Sequence, residues 1–423
     1  MKVPLSSING LAVAFDLGTT TIAASLVDPA NGKRLALASA LNPQRSFGAD
    51  VLTRLAAANL PENLAAMQAC LASEMERMVE ALLAEAGAAP QALAAVALAG
   101  NPAMEQIALG LPVASLAFPP FRPLFKDAKS TTTRELGWSR ELPAFLFPLP
   151  GGFVGGDLVS FLFGCPDTPR PGTLYLDLGT NAEMALFDGE RYLSTSAAAG
   201  PAFEGGNLRC GMAALPGAIE SVRIDGDRVR IGTIGGAPAC GICGTGVLDA
   251  VAALLENGVI DRTGRLKPAG EIASNLANRV QEIHGVPAFV LQRDARGAVY
   301  LDQEDIRALQ LAKGALRAGM EILLTRAGLD FDGLSGVVLT GSFGARLDPA
   351  ILKNIGIFSE NMVKITGFIR EGALLGVERL LLEPEGRARL ESLTRSVRVL
   401  PLSGTPAFEK RFLANLDFPE QKI

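Results

Sequence analysis

The sequence predicts an α/β protein of two lobes, each carrying one copy of a β-β-β-α unit. Three observations predict it. The chain has 423 residues, enough for two or three domains at about 150 residues each. Residues 11–40 (LAVAFDLGTTTIAASLVDPANGKRLALASA) are repeated in outline at residues 172–197 (GTLYLDLGTNAEMALFDGERYLSTSA). Amphipathic stretches with apolar residues every three or four positions follow each copy.

In both copies a β-rich apolar run ends in Asp-Leu-Gly-Thr and turns into a second strand. A tight-turn dipeptide, Asn31-Gly32 or Asp188-Gly189, then leads into a third. After the first copy, Leu64, Met67, Leu71, Met75, Met78 and Leu82 mark a helix over 62–86, stopped by Gly87. A strand is expected over 93–100. Residues 102–150 hold eight of the 26 prolines, Pro119, Pro120 and Pro123 among them. The expectation is an extended insertion without regular helix on the first lobe, residues 1–168. Phe118, Phe121, Phe125, Phe145 and Phe147 call for burial there. In the second lobe, residues 169–385, a helix over 247–258 starts at CGICGTG. Another runs from Gln303 to Ala327 on a stripe of Ile306, Leu309, Leu316, Met320 and Leu323. Asp302 or Gln303 caps it and Gly328 ends it. The strand GVVLT enters GSFG at 341–344, a last helix lies near 371–383, and a tail (386–423) packs on the lobes.

Composition removes several chemistries. The net charge is −5 with no basic stretch, so nucleic acid is excluded as the main partner. No apolar run approaches the 18 or so residues of a membrane span. The N-terminal residues lack a signal-peptide pattern, and a cytoplasmic location is expected. The single histidine, His284, excludes a multi-histidine metal site; a loop position is expected for it. Five scattered cysteines (Cys70, Cys165, Cys210, Cys240, Cys243) speak against a disulfide framework. None has iron–sulfur spacing, so no iron–sulfur cluster is expected in this chain. Cys240 and Cys243 form a C-x-x-C, read as one loop-packing thiol and one incidental one rather than as a redox pair.

A strand ending in Asp-x-Gly-Thr presents backbone N–H groups and hydroxyls at its bend, an anion cradle. Its aspartate can hold magnesium, usually through water. Asp16, Gly18, Thr19, Thr20 and Thr21 form one candidate jaw; Asp177, Gly179, Thr180 and Asn181 form the other. Two such bends facing each other would clamp a polyphosphate, whereas a single copy would read as an ordinary hairpin. Gly244, Thr245 and Gly246 open a helix whose N-terminus favours negative charge. Gly341, Ser342, Phe343 and Gly344 follow a strand and suit close approach of adenine or ribose, as do Gly205 and Gly206. Glu183 and Glu204 are candidate bases for orienting a water, or structural acceptors. Asp157 is read as a helix cap in preference to a polar group facing the cleft. Neither G-x-x-x-x-G-K-[ST] nor G-x-G-x-x-G is present.

With GSFG after an apolar strand, this set resembles the actin, sugar-kinase and heat-shock-chaperone ATPase superfamily. A narrower similarity covers nearly the whole chain. It rests on ALNPQRSFGADVLTR (40–54), AGNPAM (99–104), FVGGD (153–157), LDLGTNAEM (176–184), AAGPAFEGGNLRCGM (198–212), GAIESV (217–222), TIGG (233–236), GICGTG (241–246), DIRALQLAKGALRAGMEILL (305–324) and TGSFGARLDP (340–349). These segments look like the ATPase part of the reductive activators of corrinoid proteins. The resemblance implies two actin-like (ribonuclease-H-like) lobes with an interlobe nucleotide cleft, ATP and Mg2+ as ligands, and ATP-assisted reduction of a corrinoid protein from Co(II) to Co(I). The family's N-terminal [2Fe–2S] module has no counterpart in this sequence, so the expected electron source is a separate low-potential iron–sulfur donor. Glu105 and Gln106 stand where the family more often carries a histidine pair. A nucleotide-dependent regulatory module without redox output and a small-molecule kinase are the alternatives. The corrinoid partner, the donor and the oligomeric state, a homodimer included, stay open.

Overall fold

A computed structural model describes residues 9–420 except Thr180, Asn207, Arg296 and 342–346; the side chains of Pro201 and Glu204 also lie outside the description. Contacts divide the chain into two compact units. Unit 1 holds the chain up to Pro169, Phe187–Thr195 and Glu371–Leu400; unit 2 holds Arg170–Leu186, Ser196–Arg370 and the chain from Pro401.

Unit 1 begins with β1 (Leu11–Leu17), β2 (Thr21–Asp28) and β3 (Lys33–Leu41), followed by α1 (Val51–Ala58) and α2 (Pro61–Glu85). Next come β4 (Leu93–Gly100), α3 (Pro102–Ala108), α4 (Ala114–Ala117), β5 (Lys129–Thr132), β6 (Pro143–Leu146) and α5 (Gly156–Gly164). The sheet order is β3-β2-β1-β4-β6-β5. β1 is antiparallel to β2 and parallel to β4. Alternation along the strands gives the sheet two apolar faces. Val13, Phe15, Leu17, Val96 and Leu98 pack with Met67, Leu71, Met75, Met78 and Leu82 of α2. Each such side chain contributes about 1.5–3 kcal/mol on burial. The other face is built of small residues, Ala12, Ala14, Ala95, Ala97 and Ala99, packed with Phe147, Val159 and Phe163.

The proline-rich stretch departs from the expectation. Pro102 occupies the first turn of α3, where a missing N–H costs nothing, and β6 adds to the sheet in parallel with β4. Phe145 and Phe147 are buried as expected, but Phe118 is 63 % exposed.

Unit 2 contains β7 (Thr173–Leu178) and most of β8 (Ala182–Phe187); β9 (Tyr192–Ala197) follows. Then come β10 (Ala218–Asp225), β11 (Arg228–Thr233), β12 (Gly241–Ile242), α6 (Gly244–Glu256), β13 (Val280–Ile283), β14 (Val286–Asp294) and β15 (Gly297–Asp302). α7 (Gln303–Ala327), β16 (Gly336–Gly341), α8 (Pro349–Asn354), α9 (Glu360–Ile365) and β17 (Thr366–Phe368) complete this run. β16 lies parallel between β17 and β7. Two three-stranded sheets, β11-β10-β12 and β13-β14-β15, were not anticipated. α7 matches its expected span, with an Asp302–Asp305 capping box and a left-handed Gly328 at its end. His284 is exposed in the β13–β14 turn with φ 52°.

The remaining elements are α10 (Gly372–Leu382), α11 (Gly386–Ser396), β18 (Val397–Val399) and α12 (Pro406–Ala414). α10 and β18 lie in unit 1. Leu374, Val377, Leu380 and Leu381 of α10 pack on the alanine face of the sheet, and β18 pairs in parallel with β9. α10 also crosses α5 so closely that a Cβ on Gly376 would lie 1.8 Å from the Ser160 carbonyl oxygen. In unit 2, buried Lys313 of α7 donates to the carbonyls of Asn415 (2.6 Å) and Asp417 (2.7 Å), which tethers the end of α12. Among the described residues, no helix is long and apolar enough to cross a membrane.

Candidate nucleotide site

The first hairpin is braced from three directions. Asp16 is half-buried near the end of β1, opposite Ala23 of β2 and Ala99 of β4. Thr19 is buried, and its Oγ1 accepts from Asn101 Nδ2 at 3.0 Å. Asn42, just past β3, donates from Nδ2 to the Gly18 carbonyl and from its backbone N–H to the Thr20 carbonyl, both at 2.9 Å. Thr21 opens β2 and is exposed. Asn101 is also the N-cap of α3, accepting from Met104 N–H. One residue thus starts a helix and holds the bend.

The second hairpin repeats the strand arrangement in unit 2. Asp177 is half-buried beside Thr340, and Leu178 pairs with Gly341, just as Leu17 pairs with Gly100. In both units a glycine ends the parallel neighbour of the acidic strand. Gly341 has φ +125°, and a Cβ there would lie 2.4 Å from the Leu178 carbonyl oxygen. Gly179 N–H donates to the Asn181 carbonyl across the bend. Glu183 is buried on β8, where its Oε1 accepts from Ser196 Oγ at 3.2 Å.

A third grouping lies elsewhere in unit 2. A Cβ on Gly205 would come 3.3 Å from Cys243 Cα, so the Gly205–Gly206 turn meets the start of α6. Cys243 caps α6; its Sγ lies 3.3 Å from the Ile219 carbonyl, as donor, and 3.2 Å from Thr245 Oγ1. Gly244 and Gly246 are buried in the first turn of α6. Cys240 is exposed, and all five cysteines are free thiols. Thr180, Ser342, Phe343, Gly344 and the Glu204 side chain lie outside the described residues.

Two buried ionisable groups flank the first hairpin, and local sequence gave no signal for either. Glu105 is 0 % exposed; its Oε1 accepts from Gly100 N–H at 3.1 Å and its Oε2 has no hydrogen-bond partner. Burial, and then neighbouring Asp157, hold its carboxyl well above the usual carboxylate range. Asp157 is not the cap of α5. Gly155 occupies that position, and Asp157 sits in the first turn with Oδ1 accepting from Leu158 N–H. Burial pushes its carboxyl up to about 6. Arg54, on α1, is also 0 % exposed. Asn42 and Asn101 did carry a signal: each is an Asn-Pro placed directly after a strand, where a helix cap belongs.

Duplicated acidic hairpins on two mixed α/β sheets define the actin-like, or ASKHA, class of ATPase folds. Residues 172–423 match the C-terminal domain of RACo, the ASKHA domain, and residues 11–166 match the RACo middle region. The chain belongs to the RACo family. It is 30 % identical over 424 residues to the corrinoid activation enzyme RamQ of Eubacterium limosum, covering 96 % of this chain and 70 % of that protein. It is 30 % identical over 235 residues to the [Co(II) methylated amine-specific corrinoid protein] reductase of Methanosarcina barkeri, covering 50 % of this chain and 39 % of that one. Among solved structures, the reductive activator for corrinoid,iron-sulfur protein superposes with a TM-score of 0.88 at 28 % identity, over 98 % of this chain and 67 % of that one.

Proposed function

We propose that this chain binds Mg-ATP at its acidic hairpins and uses ATP hydrolysis to support reduction of a corrinoid protein from Co(II) to Co(I). The electron comes from a separate low-potential iron–sulfur donor. One observation carries the reading: the family match spans both units, and each unit holds an Asp-Leu-Gly bend in the same register against a parallel, glycine-ended strand.

The donor set fits the metal. Mg2+ favours hard oxygen ligands and keeps several waters, and Asp16 and Asp177 offer half-buried carboxylates at strand ends. In this proposal they hold the ion through water. Gly18 to Thr21 and Gly179 to Asn181 cradle phosphate oxygens with N–H groups and hydroxyls. Glu183, fixed by Ser196, or Glu204 orients the attacking water. Gly205 and Gly206 let the nucleotide approach closely, the helix start at Gly244 to Gly246 favours its negative charge, and Gly341 to Gly344 lie against adenine or ribose. The coupling is affordable: a one-electron equilibrium shifts tenfold per 59 mV, about 1.4 kcal/mol, so a nucleotide cycle can cover a few hundred millivolts. It acts only through a difference in partner affinity between nucleotide states.

The test combines the purified chain, a corrinoid protein poised at Co(II), a reduced iron–sulfur donor and Mg-ATP. The visible spectrum should convert to Co(I) only with ATP and this chain together. Partner binding without any conversion, under any donor, would replace this reading with a regulatory one.

A further inference from the structure

Arg54 is a buried cation without a buried anion. Nε donates to the Gly48 carbonyl at 2.9 Å, Nη1 reaches only the Met104 sulfur at 3.5 Å, and Nη2 has no partner. The acid nearest in sequence, Asp50, is engaged at the start of α1, where its Oδ1 accepts from Thr53 N–H. Glu105, the acid that follows Met104, turns to Gly100 and Gly156. Among the described residues, the partners of Arg54 are thus a carbonyl and a thioether, neither of them a carboxylate. Such a guanidinium is costly to keep, because burial removes its water and one carbonyl and one thioether replace it only in part. Burial pushes Arg54 down to about 10, even though Asp50 and Cys70 act on it in the opposite direction.

Its position is informative. The Met104 sulfur that receives Nη1 also receives Asn42 Nδ2 at 3.6 Å, and the same Nδ2 holds the Gly18 carbonyl. A thioether and an amide therefore connect the guanidinium to the back of the first bend. Gln44, in the same segment, is 0 % exposed and also keeps an unpartnered atom, Oε1. A hydrophobic residue would fill the Arg54 position at lower cost, unless negative charge arrives nearby.

We propose that the missing counter-charge is the polyphosphate of a nucleotide seated at Gly18–Thr21, which makes Arg54 a positioning residue that reads ligand charge from behind the hairpin. The inference rests on the nucleotide reading above and deepens it. A charge buried in protein acts over several ångströms with little screening by salt. Arg54 therefore favours ligands in order of phosphate charge, without touching them.

The experiment is calorimetric titration of the full chain and of R54M, R54K and M104L with Mg-ATP, Mg-ADP and adenosine at low and high salt. R54M should weaken Mg-ATP about tenfold, Mg-ADP less and adenosine hardly at all, with the difference surviving high salt. Unliganded R54M should melt no lower than the parent, while its stabilisation by Mg-ATP shrinks. R54K and M104L should keep the ATP-to-adenosine ratio; if R54M does not fold, a ratio lost in R54K despite its retained charge overturns the idea. Equal weakening of all three ligands, or none, also overturns it. Failure of the parent chain to bind Mg-ATP would instead sink the nucleotide reading.

Discussion

The two acidic hairpins share Asp-Leu-Gly-Thr and the same strand neighbours, yet they are held differently. The first is braced by Asn42 and Asn101, reaching in from the ends of β3 and β4, with buried Arg54 and Glu105 behind it. Among the described residues, the second shows its own turn and a tight backbone approach at Gly341, and it carries a buried acid, Glu183, on its return strand. Duplication preserved the strand grammar and left the supporting residues free to diverge. The comparison separates groups that belong to the shared chemistry from those that tune one side.

The largest expected effect tests what the hairpins share. Asp16→Asn and Asp177→Asn should each lower ATP hydrolysis by about 10²–10³-fold, the scale for losing one preorganised charge-stabilising group. A steady-state phosphate-release assay checks this, and a large effect at only one aspartate would break the proposed symmetry. Next, Gly341→Ala should destabilise unit 2 by about 3 kcal/mol or more, from clash and positive φ together. Gly100→Ala meets Leu17 oxygen at 3.0 Å and lacks the positive φ; it should cost about 1 kcal/mol in urea melts. Third, Asn101→Ala removes both a helix cap and the Thr19 brace and should cost about 1–2 kcal/mol. Ser196→Ala, which removes one acceptor contact of Glu183, should cost about 1 kcal/mol or less. Equal costs in the two would erase the distinction drawn between the hairpins.

The smallest effect concerns pH. The folded state raises the Glu105 carboxyl, so its proton is held more tightly folded than unfolded. That contribution is complete below the ordinary carboxylate range and is lost as pH rises through the raised value. Glu105→Gln should leave stability unchanged near pH 4 and gain about 1 kcal/mol on the parent near pH 8, read from urea melts at both. Asp305 in unit 2, pushed up to about 6 by burial, keeps two backbone N–H donors, from Arg209 and Asp302. Asp305→Asn should therefore gain less at high pH than Glu105→Gln, because the donors that favour the charged form lose it.

Elements with a strong local period could be read in advance. α2, β4 and α7 fall within a residue or two of their expected spans, because apolar spacing and caps agree along each. The expectation of no regular helix over 102–150 fails at α3, because Pro102 stands in the first turn, where a helix tolerates a proline. The hairpin of β10 and β11 lies outside the expected elements, although IESVRIDGDRVRIGT alternates and turns at Gly226-Asp227; its register leaves both turn residues exposed. Within the site, the repeated bends were legible, while the braces Asn42 and Asn101 showed in the sequence only as helix caps. Asn42 reaches Gly18 across 24 positions and Asn101 reaches Thr19 across 82.

By itself, the sequence determined the duplicated strand-bend-strand unit, the long helices and the oxygen-rich character of the bends, since each rests on neighbours in the chain. Only the tertiary structure decided that α10 packs on the alanine face of unit 1, that Gly100 and Gly341 are equivalent, and that Arg54 and Glu105 are enclosed. Burial and charge compensation depend on what distant segments bring together, and no local pattern records them.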